Sequence, residues 1–354
     1  MRIKSIRCLI KKVQPAIPFP HRYLHPQFLA ALVSPAQGGH GFEPVEPCII
    51  DLMYSMDQLY EAVASKGPVC VGLDTATAYV PPQERRKRAS DAETVLAYNR
   101  ALVDRTVDIA ACYKVQIAYY EALGRAGLDA YAHTLGYIRE QGSLVIADIK
   151  RGDIADTAAQ YAKAHFEGDF EADFVTLSPY MGMDSIEPWL SYADRKGKGA
   201  FVIMRTSNPG MRDFEYQELQ AGGRLYDAVG DKLAALAALR LGVYGYGAFG
   251  VVVGCTEPEE AASIRAKREQ LFFLIPGYGT QGGDAKDAAL LFRHANGGVV
   301  NASRSILKAW TQATGLDPEK VDMATAAQAA RSAVIQMRDD LLVALHSPGT
   351  AGVS

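Results

Sequence analysis

Short apolar segments recur along the chain from residue 69 onward, and they constrain the fold more than any other feature of the sequence. Most are rich in β-branched or aromatic residues, and each is too short to form a helix. Segments of this kind are typical of strands that are buried on both faces of a parallel sheet. There are eight of them, at residues 69–73, 112–117, 144–149, 174–177, 201–204, 249–253, 271–275 and 299–302.

Patterns typical of amphipathic helices lie between these segments and on either side of them. The best defined begins after Ser90, whose hydroxyl is placed to cap the first turn. The alternating strand–helix units predict an α/β fold, specifically a closed (β/α)8 TIM barrel. A doubly wound open sheet is the alternative, but no GxGxxG sequence follows the first segment. The predicted helices are residues 57–65, 91–109, 123–140, 156–167, 225–240, 258–268, 285–293 and 324–345.

The chain divides into three parts by composition. Residues 1–55 begin with a basic stretch and continue with proline-rich sequence, which predicts a poorly ordered N-terminal extension. A transit peptide is the alternative for this part. Residues 56–345 hold the strand–helix units and are predicted to form the barrel, and residues 346–354 are left as a C-terminal tail.

Charge and cysteine content narrow the class of protein. The 354 residues include 37 Lys and Arg against 40 Asp and Glu, so the formal net charge of −3 favours neither nucleic acid nor an anionic membrane as a partner. No apolar run approaches the roughly 20 residues that span a bilayer. Five scattered cysteines without a CxxC pair favour a reducing, cytoplasmic environment. His133, His165 and His294 lack metal-ligand spacing and are expected to be packing or surface residues.

Charged residues stand at the ends of the predicted strands, where (β/α)8 barrels carry their active sites. Asp74 follows the first strand, Lys114 lies in the second, and the third ends with Asp148 and Lys150. Because Asp148 and Lys150 are two residues apart on a strand, their side chains are expected to point to the same side. Lys114 would complete a charge network with them. A purely structural set of ion pairs at the barrel rim is the alternative.

A phosphate site is predicted at the ends of the last two strands. Residues 276–284 are rich in glycine, which lets backbone N–H groups approach an anion closely. Arg304 follows the eighth strand and can bind two phosphate oxygens at once. Phosphate-binding barrels use this position.

Several motifs together resemble those of the orotidine 5′-phosphate decarboxylase family. Residues 147–157, ADIKRGDIADT, are similar to the family's DxKxxD signature with the isoleucine and threonine that follow it. The resemblance runs from about residue 56 to about residue 345, and the pattern is that of the longer bacterial, type 2 subfamily. The other matching segments are VCVGLD (69–74), KVQIA (114–118), SPYMGMD (178–184), RTSNPG (205–210) and PGYGTQGGD (276–284).

This resemblance implies a homodimeric TIM barrel of the ribulose-phosphate-binding type whose subunits share their active sites. Its reaction would convert orotidine 5′-monophosphate to UMP and carbon dioxide, the last step of UMP biosynthesis, with neither a metal ion nor an organic cofactor. Lys150 would be the proton donor to pyrimidine C6, and Asp148 would lie against the departing carboxylate. Lys114 would hold the charge network and contact the ribose, and Asp153 would reach into the neighbouring subunit's site.

Five further residues are implied to bind the substrate. Asp74 would bind the ribose hydroxyls, Thr157 would reach the neighbouring subunit's site, and Ser207 would contact the pyrimidine ring. Gln281 and Arg304 would hold the phosphate. Residues 208–223 match the family less well and are expected to act as a lid.

Two other functions stay open on the sequence. 3-Keto-gulonate-6-phosphate decarboxylase and hexulose-phosphate synthase share the barrel and the DxKxxD signature, but they use a divalent metal and lack the TSNPG segment at residues 206–210. A catalytically silent nucleotide-binding barrel is the other alternative. A pure binder, however, has no need of the four charged residues that the resemblance makes catalytic.

Overall fold

Eight parallel strands form a closed barrel in which consecutive strands pair with one another and the first also pairs with the last. The computed structural model of the chain describes residues 53–279, 282–312 and 317–347. Its barrel confirms the predicted (β/α)8 fold. The strands are β1 (Val69–Gly72), β2 (Cys112–Gln116), β3 (Leu144–Arg151), β4 (Phe174–Leu177), β5 (Gly199–Arg205), β6 (Phe249–Val253), β7 (Phe273–Ile275) and β8 (Gly298–Ala302).

Helices connect and flank these strands. In the described part of the chain the α-helices are α1 (Ser55–Lys66), α2 (Pro82–Arg86), α3 (Asp91–Thr106), α4 (Ala118–Glu121), α5 (Gly124–Glu140), α6 (Ala155–Phe166), α7 (Glu187–Lys196), α8 (Met211–Phe214), α9 (Leu225–Ala237), α10 (Pro258–Lys267), α11 (Ala285–Ala289), α12 (Arg304–Leu307) and α13 (Met323–Leu345). Short 3₁₀ helices cover Thr77–Tyr79, Met183–Ser185, Ala309–Gln312 and Pro318–Lys320. No helix among the described residues is long and apolar enough to cross a membrane.

The ends of two helices show how local chemistry sets their length. Ser90 caps α3 as predicted, because its hydroxyl accepts a hydrogen bond from the backbone N–H of Glu93 at 3.2 Å. Helix α11 ends at Ala289, four residues before the predicted end at residue 293. His294 and Ala295 adopt left-handed backbone conformations there and form a tight turn. Arg293 forms a β-bridge with Asn296 across this turn, so the chain is already non-helical at residue 293.

Helix α1 lies across the amino end of the barrel. The backbone N–H of Ser55 donates to Gly197 O, just before β5, and the Asn296 side-chain amide, just before β8, donates to Tyr60 O. Leu59 and the other inward-facing residues of α1 pack on the apolar barrel interior. The cluster that α1 and the barrel form together includes Met56, Leu59, Val63, Cys70, Cys112, Ile146, Phe174, Phe201, Phe272, Leu274 and Val299. The barrel is therefore filled below its carboxyl end.

The predicted extension and tail mostly fall outside the described residues, whereas His165 lies inside the barrel domain. Residues 1–52 and 348–354, which carry most of the predicted extension and tail, lie outside the described residues. The barrel elements themselves run from Ser55 to Leu345. His165 is a packing residue, since it is buried beside the Phe170 ring and burial lowers its pKa to about 4.

Candidate active site

A cavity of about 330 Å³ opens at the carboxyl end of the barrel. Each strand, or the segment directly after it, contributes at least one residue to the cavity wall. Ile203, Val252 and Leu274 join the cavity to the apolar barrel interior. The cavity therefore lies where (β/α)8 barrels carry their active sites.

Four alternating charges form a continuous chain of ion pairs in this cavity. Lys114 Nζ lies 2.9 Å from Asp74 Oδ1 and 2.8 Å from Asp148 Oδ2. Lys150 Nζ lies 2.5 Å from Asp148 Oδ1. The side chains of Lys114 and Asp148 are each 7% exposed, whereas that of Lys150 is 48% exposed. Lys150 is therefore the charged group of this network that is most open to the cavity.

Asp148 is the centre of the network because each of its carboxylate oxygens accepts two hydrogen bonds. Oδ2 accepts from Lys114 Nζ and from Gln116 Nε2 at 2.9 Å. Oδ1 accepts from Lys150 Nζ and from the Thr176 hydroxyl at 2.8 Å. Thr176 was not identified as a site residue from the sequence. The only feature that sets it apart there is that it is polar and lies within a short apolar strand. Among the described residues, no group of three or more His, Cys, Asp and Glu side chains is arranged to hold a metal ion.

Charge and burial act in opposite directions on the pKa values of the network. Burial alone would raise the pKa of Asp148, but the ammonium groups of Lys114 and Lys150 hold it well below its ordinary value. Burial alone would lower the pKa of Lys114, but Asp148 and Asp74 raise it above its ordinary value. Asp148 and Lys114 are therefore both ionised near neutral pH.

Asp148→Asn should destabilise the protein most at neutral pH and less in acid. A carboxylate whose pKa is lowered by folding adds stability above its unfolded pKa of about 3.9, and that stability is lost as the pH falls through the folded value. The difference in free energy of unfolding between the wild type and this variant should therefore shrink as the pH falls below about 4. Urea denaturation at a series of pH values measures this difference. A difference that stays constant down to about pH 2.5 would contradict the lowered pKa.

The ends of β5 and β8 supply two more of the predicted residues. Ser207 lines the cavity with its neighbours Thr206 and Asn208, in the segment directly after β5. Arg304, the first residue of α12, lines the cavity beside Ser303 and Ser305. The structure therefore brings Ser207 and Arg304 to the same cavity as the ion-pair network.

The glycine-rich segment after β7 differs from the sequence interpretation. Gly277, Gly279 and Gly282 have positive φ angles, as a tight loop requires. The backbone N–H groups of Gly279, Gly282 and Gly283 donate to carbonyls within the same loop. These three N–H groups are therefore not available to an anion in this conformation. From the sequence, the backbone N–H groups of this loop are expected to bind phosphate, but here these three bind carbonyls of the loop itself. Gln281 lies outside the described residues.

Asp153 and Thr157 do not join the other predicted residues in this chain. Neither lines the cavity. The Asp153 carboxylate accepts the N–H of Ile154, and Thr157 is exposed on α6. Their place in a neighbouring subunit's site stays a prediction.

The segment expected to act as a lid, residues 208–223, is tied to the barrel by two glutamates. The Glu215 carboxylate accepts the backbone N–H of Thr206 at 2.8 Å and the Thr206 hydroxyl at 2.9 Å. Tyr216 donates from its hydroxyl to Glu260 of α10 at 2.7 Å. Its role as a lid stays a prediction.

Known proteins share this sequence and this fold. A model of the family described as orotidine 5′-phosphate decarboxylase / HUMPS matches residues 67–315. The chain is 52% identical over 289 residues to an orotidine 5′-phosphate decarboxylase of Clostridium perfringens, covering 82% of this chain and 98% of the relative. It is 50% identical over 292 residues to that of Clostridium tetani, covering 82% and 99%. The solved Leishmania donovani OMP decarboxylase has a TM-score of 0.62 and 30% identity, covering 81% of this chain and 99% of that chain.

These matches agree with the motifs and with the fold. The family model spans most of the barrel, from before β1 to after α12. The bacterial relatives align over almost their whole length, which fits the longer bacterial subfamily. The resemblance predicted from the motifs is confirmed: this chain belongs to the orotidine 5′-phosphate decarboxylase / HUMPS family.

Proposed function

We propose that this chain is a carboxy-lyase that converts orotidine 5′-monophosphate to UMP and carbon dioxide, the last step of UMP biosynthesis. Its bacterial relatives carry the name of this activity at about half identity. The observation that supports it best is the ion-pair chain Asp74–Lys114–Asp148–Lys150, which ends in the half-exposed side chain of Lys150 in an open cavity. A cytoplasmic location, inferred from the cysteine pattern, is part of the proposal.

The reaction requires a positively charged group close to pyrimidine C6, the carbon that loses carbon dioxide. Loss of carbon dioxide from pyrimidine C6 leaves an electron pair in the plane of the ring, where the π-system cannot delocalise it. A fixed ammonium group beside C6 stabilises that localised charge, and the effect becomes strong once the bound substrate excludes water from the site. Lys150 supplies this group and then donates a proton to C6. The C6–carboxyl bond breaks, the C6–H bond forms, and no electron donor or acceptor is needed.

Asp148 has two tasks in this mechanism. Its carboxylate holds Lys150 Nζ at 2.5 Å, and so it fixes where the ammonium group lies. It also lies against the carboxylate of the bound substrate, where two like charges disfavour the ground state. Because Lys114 keeps the pKa of Asp148 low, Asp148 stays charged when the substrate binds.

The remaining site residues bind parts of the substrate away from C6. Asp74 binds the ribose hydroxyls, with Lys114 beside it, and Ser207 contacts the pyrimidine ring. Arg304 and Gln281 hold the phosphate. Binding energy from this remote group closes the site and positions the ring over Lys150.

The proposed enzyme is a homodimer in which Asp153 and Thr157 of each subunit complete the other's active site. Both residues follow β3 and so lie at the cavity end of the barrel. Large apolar side chains are exposed at the same end, with Ile154 43%, Tyr180 80% and Met181 50% accessible. Exposed apolar surface of this kind is typical of protein interfaces.

A spectrophotometric assay of the purified protein with orotidine 5′-monophosphate tests the proposal. We expect conversion to UMP at a rate that EDTA does not change, because no step of the mechanism uses a metal ion. Loss of this activity in EDTA, or turnover of 3-keto-gulonate 6-phosphate alone, would place the chain in the metal-dependent branch. Tight UMP binding without carbon dioxide release would make it a silent nucleotide-binding barrel.

Arg304→Ala should raise KM for orotidine 5′-monophosphate by about 10- to 100-fold. A hydrogen-bonded charge pair with phosphate contributes about 1.5–3 kcal/mol, and this variant removes it. Steady-state kinetics measures the change. Arg195→Ala is the control, because Arg195 is an exposed residue in the last turn of α7, at the opposite end of the barrel. An unchanged KM for the Arg304 variant would remove this residue from the phosphate site.

A further inference from the structure

The pairing of β3 with β4 is irregular at the active site. Ala147 pairs with Val175, and the next pair is Arg151 with Leu177. Three residues of β3, from Asp148 to Lys150, therefore face a single residue of β4, which is Thr176. Extra residues in one strand interrupt the hydrogen bonds between the two strands and change the directions of side chains. Such irregularities are common beside active sites.

The backbone of Lys150 is strained at this irregularity. Its φ is +45°, in the left-handed region that a side chain other than glycine's rarely adopts. A conformation of this kind persists only where the surroundings hold it in place. Because the register with β4 passes over Lys150, its backbone N–H needs a partner other than a regular ladder carbonyl.

The Thr176 hydroxyl is that partner. It accepts the backbone N–H of Lys150 at 2.9 Å and donates its own hydrogen to Asp148 Oδ1 at 2.8 Å. Asp148 Oδ1 is the oxygen that holds Lys150 Nζ. Thr176 is only 1% exposed, so water cannot easily replace the hydroxyl. One buried hydroxyl thus fixes the backbone of Lys150 and the carboxylate that orients its ammonium group.

We propose that Thr176 is a positioning residue for the decarboxylation, which acts by holding Lys150 and Asp148 in their reactive arrangement. This inference rests on the proposed roles of Lys150 and Asp148. The Thr176 hydroxyl performs no chemical step. Loss of the hydroxyl would raise the free energy of the transition state, because a displaced ammonium group stabilises the developing charge at C6 less well. Binding of the ribose and phosphate depends on other residues.

The Thr176→Val variant removes the hydroxyl and keeps the branched shape. We expect kcat to fall by about 10- to 100-fold, since small displacements of a reacting group have effects of this size. KM should change by no more than about threefold, because the variant removes no contact to ribose or phosphate. Thr176→Ser retains the hydroxyl and should keep kcat within about threefold of the wild type. The Thr176→Ala variant, which also lacks the hydroxyl, provides a second comparison with serine if the valine variant does not fold.

Thr134→Val is the matched control. Thr134 is also 1% exposed, and its hydroxyl also donates one hydrogen bond, to Ala130 O at 2.7 Å, and accepts one, from Asn99 Nδ2 at 3.2 Å. It lies in α5 and does not line the cavity. Its loss should lower the melting temperature and leave kcat unchanged.

Several results would overturn the inference. These are a wild-type kcat in the Thr176→Val variant, equal losses of kcat in the valine and serine variants, or the same loss in the Thr134 control. If neither Thr176→Val nor Thr176→Ala shows a folding transition while Thr176→Ser does, the hydroxyl serves the fold and the proposal is wrong. A wild-type protein without decarboxylase activity would instead reject the proposed function. The two failures are therefore distinguishable.

Discussion

Lys150→Ala should lose nearly all decarboxylase turnover while the protein still folds. The variant removes both the cation beside C6 and the proton donor, and we expect kcat to fall by at least about 10⁴-fold. The fold should survive, because the Lys150 side chain is 48% exposed and Asp148 keeps its hydrogen bonds from Lys114, Gln116 and Thr176. The free energy of unfolding should change by no more than about 1 kcal/mol. Single-turnover kinetics and urea denaturation measure the two effects.

Lys232→Ala provides the control for this experiment. Lys232 is an exposed lysine of α9 that does not line the cavity, so its loss should leave kcat unchanged. Decarboxylation at the wild-type rate by the Lys150 variant would remove Lys150 from the mechanism. Loss of folding in that variant would show that the residue is structural.

Asp148→Asn should lower kcat by about 10³-fold or more. The carboxylate accepts from two ammonium groups, and the asparagine amide has only one acceptor oxygen to offer them. Its NH₂ group would face one ammonium group directly, so Lys150 would move from its position. Lys114 and Lys150 would also repel each other without the charge between them. Steady-state kinetics at saturating substrate measures the loss.

Asp173→Asn is a matched control for this variant. The Asp173 carboxylate accepts the backbone N–H of Val145 at 2.9 Å and lies 3.6 Å from Lys198 Nζ. It directly precedes β4 and is therefore at the amino end of the barrel, away from the cavity. Its replacement should reduce stability and leave kcat unchanged. A kcat for the Asp148 variant above about a tenth of the wild-type value would contradict the role proposed for Asp148.

The strands could be predicted from the sequence because a strand that is buried on both faces appears as a short, continuous apolar segment. All eight apolar segments became strands, although β5 begins at Gly199 and β7 at Phe273, each two residues from the predicted start. Gly199 and Ala200 are buried, but such small residues carry little hydrophobic signal. Helix α7 was missed because it is only ten residues long and has Pro188 close to its start.

The sequence predicts which charged residues of the candidate site stand at strand ends, but it does not predict the contacts that depend on how the strands pair. The fold rule that strand ends converge was enough to place Asp74, Lys114, Asp148 and Lys150 together. The role of Thr176 could not be read from the sequence, because it depends on a shift of register between two strands. A register shift is a property of the pair of strands, and neither strand encodes it alone. The hydrogen bonds inside the glycine-rich loop were missed for a similar reason, since they depend on its folded path.

The position of helix α1 has a kinetic consequence. Apolar side chains fill the barrel behind the cavity, and α1 closes its far end in the part of the chain that the structure describes. Substrate and both products must therefore pass through the same mouth. UMP has to leave the cavity before another substrate molecule can enter, so we expect UMP to compete with the substrate for the same site.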